Sequence, residues 1–257
     1  MGTSSENVQA DNDSLDSEKP ETINLADAGQ FADKLIEHFR EQRSHIGQGH
    51  GTKNKSITAS KKAVSFLEEG RLEEARTQLK SCANSFDAIS EFNLPISVKD
   101  ELHKSAGQEF AEAAIILAYF PALIGKADPA LIKIPTDQEL DVPPSAWLAG
   151  ITDATSEISK MLPSLIINQV VADEKALYER ALYILETLYD FLLNFRQCYA
   201  KAINNHFRHE QSFLSKLRQP AMAILRTKER LIDLKENEGL KSKLDAILKA
   251  TSSINRS

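Results

Sequence analysis

At 257 residues with 42% hydrophobic content, the chain can bury a sizeable core, and no run approaches the roughly 18 uninterrupted apolar residues of a membrane helix. Two cysteines, Cys82 and Cys198, exclude a disulfide framework, and with no signal-like leader they point to a reducing, cytoplasmic setting and away from membranes. Six acids against one base in residues 1–23 leave the remainder near −1 of the net −6, which excludes a bulk polyanion binder. Any nucleic-acid affinity must come from local basic patches or a metal.

The Ser/Asp/Asn-rich stretch 1–23 has too little apolar content to offset its ordering entropy, and it reads as a disordered acidic tail ahead of one helical domain over 24–252. No sustained alternation of period two appears. Proline is absent between Pro163 and Pro220 and glycine between Gly150 and Gly239, so long helices are expected and the fold class is all-α, a single-domain bundle of about seven helices.

The first helix is expected from about Leu25 to Phe66, with a break at "HIGQGHGTKNK", where each glycine weakens a helix interior by up to about 1 kcal/mol. A second starts after Gly70 and carries Leu72, Ala75, Leu79, Ala83 and Phe86 on one stripe. Two more lie on either side of Gly107 in "SVKDELHKSAGQEFAEAAIILAYFPALIGK". The connection "ADPALIKIPTDQELDVP" is long for a bundle, which suggests a functional loop. Pro144 then opens a helix that Pro163 kinks or ends, and two long helices finish the chain, at about Glu174 to Arg208 and Ser212 to Lys249.

Two acid pairs carry the chemistry. Glu109 and Glu112 share a helix face inside "GQEFAEAAIILAYF", and apolar neighbours wrap Glu112 so closely that it should be buried. A buried carboxylate must be protonated, paired with a cation or bound to a metal. Asp153 and Glu157 share a face of the helix that follows Pro144. If the pairs face each other, four carboxylates form an all-oxygen site suited to Mg²⁺ or Mn²⁺. Spacing alone favours a solvated acidic face. No glutamate has a histidine three residues later, so the di-iron bundle pattern is missing.

Cationic candidates for phosphate contacts are Lys53, Lys55, Lys61 and Lys62, extended by Arg40 and Arg43, and a second group around Arg196, Lys201 and Arg208. Ordinary solvated helix faces would look the same. Trp147 lies on an apolar stripe and reads as core.

"GQEFAEA" followed by "IPTDQELDVPPSAWLAGITDATSEISK", with "SKKAVSFLEEGRLEEA" upstream and "YERALYILETLYDFLLNF" downstream, resembles the translin and Trax (translin-associated factor X) family, archaeal members included, over about Leu25 to Lys249. The resemblance implies a seven-helix protomer in a hollow homo-oligomer, usually octameric, that binds single-stranded RNA or DNA. Trax-type subunits carry a Mg²⁺-dependent endoribonuclease site, whose acids fall here on Glu109, Glu112, Asp153 and Glu157; translin-type subunits are mainly non-catalytic binders. Two departures stand out. Ser156 precedes the last acid, where the family often has glycine, and Ser159 with Lys160 follows it, where the family often has arginine. "GQGHG" also interrupts what is a continuous basic first helix in relatives.

Overall fold

The computed structural model describes the backbone of residues 28–202 and 207–254 and the side chains of 29–195 and 217–243; the predicted tail lies outside them. Contacts divide the chain into two units, 1–42 and 43–257. Seven α-helices and no strand occur among the described residues: α1 (Ala28–Glu68), α2 (Leu72–Asp87), α3 (Ile96–Leu123), α4 (Asp137–Leu140), α5 (Pro144–Ile167), α6 (Glu174–Ala202) and α7 (Phe207–Ile254). The described part of the first unit is the start of α1, where Phe31, Leu35, Ile36 and Phe39 stand 41–58% exposed.

In the second unit α3 and α5 form the centre, and α6 and α7 pack beside them. Ile115, Ile116, Phe120 and Leu123 of α3, and Ile151, Ile158, Met161 and Leu165 of α5, are fully buried in one cluster with Leu177, Ile184 and Leu188 of α6. A smaller cluster joins Ala59 of α1, Cys82 and Phe86 of α2, and Leu102, Ala106 and Phe110 of α3. Within it the Cys82 Sγ lies 3.1 Å from the Ser56 hydroxyl and 2.9 Å from that of Ser60, and burial pushes the thiol up.

The register of α3 against α5 is set by small residues. A Cβ on Gly150 would stand 2.7 Å from the Ala111 Cβ and 2.9 Å from both the Gln108 carbonyl oxygen and the Glu112 nitrogen, so only glycine permits this approach. Gly107 also lies against Ala146, in ordinary contact at 3.4 Å from the position its Cβ would take. Residue 107 thus matches 146 and 111 matches 150, a constant offset, so the two helices run in the same direction. Parallel neighbours need a crossover, and the connection after α3 supplies it. It is built, not irregular: a 3-10 turn over Pro129–Leu131, α4 with a Thr136/Glu139 capping box, and the Trp147 indole N–H donating to the Pro135 carbonyl at 2.8 Å. The length that suggested a functional loop is accounted for by topology. Trp147 itself packs edge-on against Phe191.

Two expected boundaries are absent, and at a third position, Pro163, the helix does not end. α1 runs unbroken through "GQGHG", because Gly49 is buried against Leu94 and Leu102, which a Cβ would meet at 3.0 Å, while Gly47 and Gly51 face open space. Their propensity cost, about 1 kcal/mol each at most, is smaller than what packing of a long helix returns. α3 continues across Gly107, so the two expected helices are one. α5 passes Pro163 and ends four residues later.

Candidate metal centre

The common direction of α3 and α5 brings the two acid pairs side by side. Glu109 and Glu112 on α3 and Asp153 and Glu157 on α5 line one cavity of about 580 Å³, which α1 borders with Ser60, Lys61, Val64 and Glu68 and α7 with Gln219. The wrapping expected around Glu112 is present: Ala111, Ala113, Ile115 and Ile116 are all buried. Glu112 itself is partly buried, its carboxyl end reaching the cavity.

The partners differ from acid to acid. Lys160 lies 2.8 Å from the Glu157 carboxylate, and Lys61 stands 3.9 Å from that of Glu109. The Gln108 side-chain amide donates to Asp153. Glu112 has no ion pair or hydrogen bond among the described residues. Its carboxyl is pushed up from 4.5 to about 8, first by burial, then by the charges of Glu109, Asp153 and Glu157, with Lys160 opposing. Burial also raises Glu109, against the pull of Lys61. The hydrogen bond to Glu157 holds the Lys160 ammonium charged.

Carboxylate donors, with no histidine or thiol lining the cavity, suit a hard divalent ion and not zinc. The donors match Mg²⁺ or Mn²⁺ in kind. They are not closed around a point: among the described residues no three His, Cys, Asp or Glu side chains form a ready metal cage. Lys160 is paired with Glu157 and Lys61 with Glu109, and the neighbouring charges add to burial in raising Glu112.

Sequence reasoning missed three members. Glu68, the last residue of α1, lines the cavity, and burial followed by the Glu157 charge raises its carboxyl. Lys160 entered only as a departure from a family pattern, and Gln108 not at all. Ser60, Lys61, Val64 and Glu68 share a stripe at helical spacing, a signal visible in "SKKAVSFLE" but without meaning until the packing of α1 is known. Of the predicted cations whose side chains are described, only Lys61 lines the cavity. Lys53 is half-buried, and Lys55, Lys62 and Arg43 are exposed on α1 away from the cavity lining; Arg40 pairs with Glu37 at 3.3 Å. Arg196, Lys201 and Arg208 lie outside the described side chains.

No family model matches the chain, and no curated protein does. Solved structures do. "Crystal structure of AfC3PO" aligns with a TM-score of 0.60 and 21% identity over 80% of this chain and 97% of that one. "Structure of AfC3PO - duplex RNA complex" aligns at 0.58 and 20% over the same shares, and "Crystal structure of apo-NeC3PO" at 0.61 and 18% over 78% of this chain and 95% of that one. The chain therefore has the all-α, translin-type fold of these C3PO chains.

Proposed function

We propose that the protein binds single-stranded RNA and cleaves it as a Mg²⁺- or Mn²⁺-dependent endoribonuclease. Glu112, Asp153 and Glu157 would hold the ion, and Glu109 is a further ligand or the group that orients the attacking water. The observation that carries this reading is the meeting of both acid pairs, with two ammonium groups, in one partly buried cavity. A bound divalent ion would supply an acidified water and charge relief on the phosphate.

The residues supply the rest. Gln108 fixes Asp153 through its amide, so one donor is oriented in advance. Glu112 holds a proton at neutral pH and must release it when it serves as a ligand, so cation binding and proton release are coupled. Lys61 and Lys160, which line the cavity beside these acids, would meet phosphate oxygens of the strand. Phosphate contacts of this kind give salt-dependent binding with little base preference.

A second reading, a non-catalytic binder of single-stranded RNA or DNA of the translin kind, is favoured by the splayed, lysine-paired carboxylates. Homo-oligomerisation, as an octamer, accords with the exposed Phe31, Leu35 and Phe39 at helical spacing near the start of α1. A cytoplasmic site of action accords with the cysteine content; no helix among the described residues is long and apolar enough to cross a membrane.

Labelled single-stranded and duplex RNA, incubated with the protein and Mg²⁺, Mn²⁺ or EDTA, separate these readings. Cleavage with a divalent ion that stops in EDTA and falls at least about a hundredfold in Glu112→Ala and Asp153→Ala supports the nuclease. Unchanged cleavage in the variants rejects the site, and a gel shift without cleavage favours the binder. The duplex arm matters because one structurally similar complex holds duplex RNA.

A further inference from the structure

A second cavity, also about 580 Å³, adjoins the first and is formed where α5, α6 and α7 meet. Lys160 lines both. From Lys160 the lining continues along α5 through Pro163 and Ile166 to Ile167, about 10 Å further at the rise of an α-helix. Ile167 is 76% exposed and ends this mainly apolar lining. The opposite wall carries two arginines of α7. Arg230 is neutralised by Glu174, the acid of this cavity, at 2.8 and 3.0 Å. Arg226 is exposed and makes no ion pair or hydrogen bond among the described residues.

An uncommitted guanidinium across from an aliphatic wall has the two halves that a nucleotide presents, a phosphate and an apolar base face. The wall is continuous with the cavity that holds the acids, and the shared residue is a lysine. We propose that this second cavity is a subsite for the nucleotide adjacent to the one in the acidic cavity, with Arg226 on its phosphate and Ile166 and Ile167 under its base. The inference rests on the RNA-binding part of the function proposed above and does not require a metal or catalysis.

The test is binding of a fluorescent single-stranded RNA hexamer in EDTA, followed by anisotropy over a salt series. Arg226→Ala is expected to weaken binding about tenfold and to lower the salt slope by about 0.7, the value for one lost single-strand phosphate contact. Ile167→Asp is expected to weaken binding of the hexamer about fivefold more than that of a hexamer with abasic spacers, since only the former has bases to rest on the wall. Lys241→Ala, an equal loss of charge elsewhere on α7, reports the general electrostatic effect. If both cavity variants bind as Lys241→Ala does, the subsite is wrong while RNA binding stands. If the unaltered protein fails to bind the hexamer, the RNA-binding reading falls and the subsite with it.

Discussion

Glu112 is the residue on which the site turns. Its carboxyl titrates near 8 in the folded chain and near 4.5 when exposed, so between those values the folded state holds a proton that the unfolded state has lost. Stability of the cation-free protein should therefore fall as pH rises from about 4.5 to about 8 and level off above, with Glu68 and Glu109 adding in the same direction. In Glu112→Gln most of that slope should vanish, and the variant should melt higher than the unaltered protein at pH 8 in EDTA. Melting curves from pH 5 to 9 decide this; a flat profile for the unaltered protein would remove the buried-proton account. Much at this scale was legible in the sequence, because apolar neighbours on nearly every side of Glu112 dictate burial. Glu68 and Lys160 were not, since which solvated acid or lysine reaches a cavity depends on the rotation of α1 and α5 about their axes, and periodicity alone does not set that.

Among the elements, the parallel contact of α3 and α5 does the positioning, and Gly150 permits it. Gly150→Ala forces a methyl group to within 2.7 Å of Ala111 and 2.9 Å of backbone atoms of α3, which cannot yield as a flexible side chain would. A loss of about 1–3 kcal/mol is expected, together with weaker cation binding as the acid pairs move apart. Gly47→Ala is the counterpart. It lies inside α1 facing open space, so the same added methyl group should raise stability by about 0.5–1 kcal/mol. Denaturant melts of both variants check the pair, and a neutral Gly150→Ala would mean the helices are not locked at that point. Sequence reading located these helices from hydrophobic spacing and proline placement. It went wrong at Gly47–Gly51 and Gly107, where local propensity argued for an end and the packing of Gly49 and Gly107 against neighbouring side chains favours a continuous helix.

For the whole molecule, what was legible was class, not assembly. Long stretches free of proline and glycine, and the absence of period-two patterning, lead to an all-α fold, which the structure and its C3PO neighbours share. The direction of α3 against α5 was hidden, because a 20-residue connection is compatible with several topologies and only the register of glycines against alanines resolves it. Assembly is testable from exposed surface. Light scattering should give a mass several times 28.6 kDa, eightfold for the octamer, and Phe31→Glu with Phe39→Glu should lower it. A mass near 28.6 kDa for the unaltered chain would contradict self-association.

The central claim is that the two acid pairs act together as one divalent-cation site, and Mn²⁺ binding followed by electron paramagnetic resonance tests it most directly. The unaltered protein should take up Mn²⁺ at pH 8, with weaker uptake at pH 6 as Glu112 regains its proton, and Glu112→Gln and Asp153→Asn should each weaken it by at least about tenfold. Uptake that is absent at both pH values, or that is the same in both variants as in the unaltered protein, would contradict the claim.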